Sequence, residues 1–229
     1  MNNLFQTSSG FIALEKDLEN LKTKEQARLL CYSDSHGNYR ILLKVLKQFG
    51  PSCDALIFCG DGICDLAEIF ELCTEDTSLK KILPPVIAIV KGNGDPTTYP
   101  VSFDIGKYNP ASRNDMKGTM FIPEKQILIA NNTKFFITHG HHQNVYFGLE
   151  QMGMATTLNE CQVGLYGHTH VSQEDSFKTC KIINPGSISR PRGGDVAGFA
   201  IITVEKNFTD TAFIKISNSQ SDVPQFSIK

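Results

Sequence analysis

The sequence predicts an α/β fold built in layers, and three observations carry that reading. Short apolar runs alternate with segments of helical periodicity over the first part of the chain. The later part is richer in strand patterns. Five of the apolar runs end in a polar or charged residue, usually beside a glycine.

The elements follow in order. Phe11, Leu14, Leu18 and Leu21 recur at spacings of three and four, with Ser8 and Ser9 as caps, so residues 11–26 begin as a helix. Its apolar stripe packs on its own domain or docks a partner or second subunit. Residues 39–49 and 64–74 read as helices, and 143–159 as a third, weakened by Gly148 and Gly153. Residues 126–130 and 134–138 flank Asn131-Asn132-Thr133, which signals a hairpin. Residues 172–177, 181–183, 197–204 and 211–216 read as strands. The expected organisation is one domain over residues 1–229, with an N-terminal helical extension (about 1–26) and a frayed polar tail (about 218–229).

Composition narrows the function classes. The chain has 229 residues, 41% hydrophobic and 20% charged, which excludes collagenous, disordered and coiled-coil classes. Its 22 basic and 24 acidic residues give a net charge of -2, which argues against an extended nucleic-acid interface on a basic face. A small anionic substrate needs only a local positive field and stays open. The longest apolar run, residues 82–90, is broken by Pro84 and Pro85. A bilayer span needs about 18 or more apolar residues, so no membrane role is expected. Seven cysteines, an odd number with no Cys-x-x-Cys pair, argue against a disulfide framework or a thiolate zinc site. With no signal-peptide pattern at the N-terminus, the expected compartment is the reducing cytoplasm. The glycosylation patterns at Asn131 and Asn207 are then chance matches.

The five strand ends carry the chemistry. Leu29–Tyr32 leads into Asp34-Ser-His36, and Ala55–Cys59 into Gly60-Asp61. Val86–Val90 leads into Gly92-Asn93-Gly94-Asp95, Phe135–Thr138 into His139-Gly-His141, and Gln162–Tyr166 into Gly167-His168-Thr-His170. Ligands of α/β sheets bind beyond the carboxyl ends of strands, so these tips should meet. Residues two apart in extended chain point the same way, so Asp34/His36 and His168/His170 can each face one ion or straddle two. Carboxylates, imidazoles and one amide oxygen suit Mn, Fe, Zn or Ni. Six or seven ligands are too many for one tetrahedral ion and suit two ions about 3.5–4 Å apart.

These blocks, in this order, resemble the calcineurin-like metallophosphoesterases. Together with Asn184-Pro-Gly-Ser-Ile-Ser-Arg-Pro-Arg192, they are most similar to the small YfcE-type phosphodiesterases. The resemblance implies a four-layer αββα sandwich of two mixed β-sheets flanked by helices. It implies that Asp34, His36 and His170 hold one divalent ion, that Asn93, His139 and His168 hold a second, and that Asp61 bridges. The two ions would be manganese first, with iron, zinc or nickel as alternatives. The implied activity is a phosphodiesterase in which a metal-bound hydroxide attacks a small phosphate ester in line. Alternatives are a phosphomonoesterase or nucleotide hydrolase of the same fold, or a non-catalytic protein-binding scaffold, since a retromer subunit shares it. A homo-oligomer stays open.

Other residues are weighed beside these. His141 is the candidate proton donor, with a supporting or surface histidine as the alternative. His142 should point away. Arg192 is the candidate phosphate contact, and Arg190 reads as solvent or loop packing with a phosphate contact as the alternative. Asn38 supports the site or caps the next helix, and Cys59 and Cys64 read as buried cysteines. The family pattern departs at Gly94, where a histidine acid is often found, which leaves Asp95 without a role. Residues 95–118, with Lys107, Arg113 and Lys117, form a substrate-selecting rim or an ordinary loop.

Overall fold

Apolar residues run unbroken along three strands because both of their faces are covered. The computed structural model describes residues 2–106, 118–206, 208–217 and 223–229. Its helices are α1 (Glu15–Thr23), α2 (Tyr39–Phe49), α3 (Ile63–Glu75) and α4 (Glu150–Leu158). The strands are β1 (Gln26–Tyr32), β2 (Ala55–Phe58), β3 (Val86–Ile89), β4 (Thr98–Pro100), β5 (Thr119–Phe121), β6 (Lys125–Ala130) and β7 (Thr133–Thr138). They continue with β8 (Val163–Leu165), β9 (Ser172–Phe177), β10 (Cys180–Pro185), β11 (Gly198–Glu205), β12 (Phe208–Ser217) and β13 (Gln225–Ile228).

One sheet has the order β13-β12-β11-β1-β2-β3 and the other β6-β7-β8-β10-β9. Both are mixed. β1, β2 and β3 are parallel and β11 antiparallel to β1, while β7, β8 and β10 are parallel with antiparallel β6 and β9 on the edges. The strand period of two sorts side chains into separate cores. Leu29, Cys31, Ile57 and Ala88 face the second sheet, where they meet Leu128, Phe135, Ile137 and Leu165. Leu30, Tyr32, Phe58 and Ile89 face outward, onto Ile41, Leu42 and Val45 of α2 and Leu66 and Phe70 of α3. On the far side, Phe136 and Ile182 pack with Met152 of α4. The layers are therefore α, β, β, α. Each fully buried Leu or Ile contributes about 1.5–3 kcal/mol relative to exposure.

Helix α2 covers the expected residues, and α3 extends one residue beyond the expectation at each end. Three expectations change. The N-terminal helix is confined to Glu15–Thr23, and Phe11 lies before it in extended chain. Ile12 exchanges backbone hydrogen bonds with Ile87 at 2.9 and 3.0 Å, so this arm covers the free edge of β3. Phe11 and Ala13 enter the inter-sheet core while Ile12 enters the outer one, an alternation that the helical spacing concealed. The third helix is shorter than 143–159. A 3-10 turn (His141–Gln143) and a loop ending at Gly148, with φ +136°, precede α4. The tail is not frayed at its end: β13 pairs antiparallel with β12, and Lys229 Nζ lies 2.9 Å from both Asp195 Oδ1 and Ser172 Oγ. Residues 218–222 lie outside the described residues. So do Lys107, Arg113 and Lys117, although the hairpin β4–β5 flanks that stretch. No helix among the described residues is long and apolar enough to cross a membrane.

Gly153 sits inside α4 because Phe177 of β9 presses on it: a Cβ there would lie 2.1 Å from the Phe177 ring. On an exposed helix, Gly→Ala gains about 1 kcal/mol. Here overpacking of about 1–3 kcal/mol should outweigh that gain. Urea unfolding of Gly153→Ala is therefore expected to show a net loss of stability. A higher midpoint at unchanged slope would mean that Phe177 swings clear.

Candidate metal centre

Each expected ligand residue stands just beyond a strand end. Asp34 and His36 follow β1, Asp61 follows β2, and Asn93 follows β3, all from the first sheet. His139 follows β7, and His168 and His170 follow β8, from the second. The centre thus straddles the seam of the sandwich. Asp34, His36, Asp61, His168 and His170 have φ of +55°, +45°, +61°, +70° and +62°. Non-glycine residues rarely adopt these values, which cost about 1–3 kcal/mol each. Such strain persists only where the surroundings enforce it.

The enforcing groups are mostly residues to which the sequence assigned no role. The Asp95 carboxylate accepts hydrogen bonds from four backbone amides: Asp61 N at 2.7 Å, Gly92 N at 3.0 Å, Gly62 N at 2.9 Å and Ile63 N at 3.0 Å. It ties the β2 tip to the β3 tip and satisfies free amides at the start of α3. Asp65 Oδ2 accepts from Ser35 Oγ at 2.5 Å and Gly37 N at 2.9 Å, which holds the Asp34–His36 turn. Ser187 Oγ donates to Asp34 O at 2.8 Å, and Ser189 Oγ to Ser35 O at 2.7 Å. Asn184 Nδ2 donates to Gly167 O and Thr169 Oγ1, both at 2.9 Å, which steadies the His168–His170 turn. Asn38 caps α2 by accepting from Ile41 N at 3.3 Å. Gly92 is glycine because its backbone crosses Asp61: a Cβ would lie 2.0 Å from Asp61 Oδ1. Asp65 in the first turn of α3 was the local signal for an anion near a helix start. Three of the four Asp95 bonds left no such trace, because they join residues more than thirty positions apart.

The donors converge on two groups that share Asp34. One ligand atom from each of Asp34, His36 and His170 lies within 4.8 Å of the others, and the same holds for Asp34, Asp61 and His139. Asp34 Oδ1 is 3.1 Å from His170 Nε2 and 3.6 Å from His36 Nε2, and the two imidazole nitrogens are 3.2 Å apart. Asp61 Oδ2 is 3.5 Å from His139 Nε2. His170 Nδ1 lies 2.6 Å from Arg190 O and His139 Nδ1 2.7 Å from Cys59 O, so each ring donates there and turns its other nitrogen inward. Asp34 Oδ1 and His139 Nε2 are buried without a hydrogen-bond partner among the described residues. Two unpaired acceptor atoms inside a set of carboxylates and imidazoles fit divalent cations.

Electrostatics agree. Burial pushes the Asp34 carboxyl up, but the facing imidazoles of His170 and His36 and the charge of His139 outweigh it and hold it well below the carboxylate range. Asp61 is lowered in the same way: burial opposes, while His139 and the Gly94 amide prevail. Burial pushes His139 down, yet the carboxylates of Asp61 and Asp34 outweigh it and raise it. His168 is lowered by burial and by His139.

The remaining candidates lie around this set. His168 is half-buried, and its ring centroid is 5.0 Å from that of His139. Asn93 is exposed on the Gly92–Asp95 turn, beside the Gly94 N–H that donates to Asp61 Oδ1 at 2.8 Å. The His141 ring centroid is 5.5 Å from that of His139 and 6.1 Å from that of His168. Arg192 is exposed at the rim: its Nη1 donates to Tyr146 Oη at 2.6 Å, and Tyr146 donates to His168 O at 2.9 Å. Sequence reasoning passed over Tyr146, whose ring packs edge-on to His168 at 4.8 Å. Arg190 places its carbonyl on His170 and lines a cleft of about 200 Å³ with His36, Asp61 and Cys64. Contrary to expectation, Cys64 is exposed, whereas Cys59 is buried. His142 is exposed and points away from this set, with its Nε2 3.6 Å from Glu124 Oε2.

Residues 28–207 match the calcineurin-like phosphoesterase superfamily domain. The chain belongs to that superfamily. As a member of it, the protein is a metal-dependent phosphoester hydrolase. It is 28% identical to the probable metallophosphoesterase YsnB of Bacillus subtilis, covering 85% of this chain and 98% of that one. It is 27% identical to the phosphodiesterase YfcE of Escherichia coli, covering 88% and 98%. Among solved structures, Vacuolar Protein Sorting 29 from Cryptosporidium parvum superposes with a TM-score of 0.60 at 15% identity, over 90% of this chain and 98% of that one. That likeness shows the calcineurin-like phosphoesterase fold alone.

Asp95 offers a test of the support beneath the centre. Asp95→Asn keeps the shape but replaces one acceptor oxygen with a donor that faces amide donors. Unfolding should show a loss of about 1–3 kcal/mol, the cost of stranding buried amides. Metal affinity should fall about 10–100-fold, as for outer partners of metal ligands. Wild-type affinity in a destabilised variant would confine Asp95 to folding.

Proposed function

We propose that this protein is a phosphodiesterase that hydrolyses small phosphate esters at a centre of two divalent ions. The observation that supports it most is the convergence of Asp34, His36, Asp61, His139 and His170 around two unpaired buried acceptor atoms. In this reading Asp34, His36 and His170 hold one ion, Asn93, His139 and His168 the other, and Asp61 lies between. When bound, the ions supply positive charge for the phosphoryl oxygens and acidify a water for attack on phosphorus. The chain's own residues orient that chemistry. The Cys59 and Arg190 carbonyls fix two imidazoles, the Gly94 amide fixes Asp61, and Tyr146 with Arg192 forms a polar wall over His168. Manganese is our first assignment, with iron, zinc or nickel as alternatives.

Proton supply to the leaving group is the weak step of this site. Gly94 has no side chain to donate. Burial and the charges of His142 and His139 push His141 down to about 4, so near neutral pH it is almost wholly unprotonated.

Two measurements test the proposal. The manganese-loaded protein should hydrolyse bis(p-nitrophenyl) phosphate and stop on addition of a chelator. His139→Ala should lower kcat/KM by about a hundredfold or more, the scale of a lost electrostatic group. Full metal loading without turnover of any phosphodiester or monoester would defeat the enzyme reading and favour a scaffold.

The second measurement varies the leaving group. The rate should fall steeply as leaving-group basicity rises, since a positioned acid contributes about 10²–10⁴-fold. Gly94 is free of left-handed φ, and a Cβ there would lie 3.2 Å from Asp61 Oδ1, a contact that a small shift relieves. Gly94→His should therefore flatten the plot of log kcat/KM against leaving-group pKa. A shallow wild-type slope that His141→Ala leaves unchanged would sink the missing-acid argument.

A further inference from the structure

We propose that Glu124, His141 and His142 form a third divalent-metal site, distinct from the paired centre, suited to zinc, nickel or copper. One ring nitrogen of each histidine and one carboxylate oxygen of Glu124 lie within 4.8 Å of one another. Two imidazoles and one carboxylate form a donor set for borderline divalent metals.

The backbone brings these residues together, so the cluster does not depend on chance side-chain positions. Glu124 immediately precedes β6, and the two histidines follow β7. β6 and β7 form one antiparallel hairpin in which Lys125 pairs with Thr138. That register sets the residue before β6 beside the turn after β7. Thr138 Oγ1 also donates to the Glu124 carbonyl at 3.4 Å.

The side chains are arranged for a ligand. Lys91 Nζ holds Glu124 Oε1 at 3.2 Å, while Oε2 faces His142 Nε2 at 3.6 Å. One oxygen is thereby oriented and the other presented, as outer partners orient ligating carboxylates. The rings of His141 and His142 lie 3.9 Å apart at 39°. His141 Nδ1 is buried with no hydrogen-bond partner among the described residues. Glu124 and His142 are half-exposed or more, which leaves room for water to complete the coordination. The Lys91 charge opposes a cation, so this site should bind more weakly than the paired centre.

The test counts ions. Zinc is titrated into the full chain by calorimetry, with elemental analysis after desalting. The wild type should take one equivalent more than Glu124→Gln and His142→Ala, which replace partly exposed side chains. Asp61→Ala, which disturbs the paired centre, should keep the weaker equivalent. With copper, the wild type should show a spin-resonance signal from nitrogen ligands that His142→Ala alters, a change that a purely structural role would not cause. Equal stoichiometry in wild type, Glu124→Gln and His142→Ala would overturn the third site. If Asp61→Ala instead matches the wild type at every equivalent, the paired-centre reading fails and the third site stands.

Discussion

Asp34 is a fully buried carboxylate that, among the described residues, has histidines and no lysine or arginine against it. Burying an uncompensated charge is costly enough that proteins pair it, protonate it or bind it to a metal. Here its neighbours are His36 and His170, with the Asp61–His139 pair in the adjoining group. The rest of the site follows from this need. The histidines face inward because carbonyls claim their outer nitrogens, and the loops keep unfavourable dihedrals because a network of carboxylates and hydroxyls holds them.

That network divides the labour between two kinds of carboxylate. Asp34 and Asp61 point at the centre, while Asp95 accepts from backbone amides and Asp65 from the Ser35 hydroxyl and the Gly37 amide. The second pair has its charge spread over several N–H and O–H donors, so it can be buried without a cation. The first pair lacks enough donors and keeps its field for a ligand. All four lie on the β1, β2 and β3 tips or the start of α3, yet they serve opposite purposes.

The sandwich matters because the candidate ligands come from both sheets. The inter-sheet core of Leu29, Ile57, Phe135 and Leu165 sets how the two rows of strand ends align. Interiors pack as densely as organic crystals, so the alignment has little freedom. Edge protection belongs to the same design: the N-terminal arm covers β3, and β13 extends the sheet at the other end.

The sequence by itself determined the layered α/β class, helix α2, the β6–β7 hairpin and the placement of the candidate ligands at five strand ends. These are local signals: strand burial repeats every two residues, helix burial every three to four, and a tip is a glycine beside a polar residue. Only the tertiary structure decided the rest. Phe11, Ile12 and Ala13 fit either period until the β3 edge selected the extended form. The polar strand β13 carries little apolar signal and exists because β12 offers it backbone partners. Asp95, Tyr146 and the Glu124 cluster meet partners far along the chain. Such contacts arise when folding brings distant segments together, and periodicity and spacing carry no record of them.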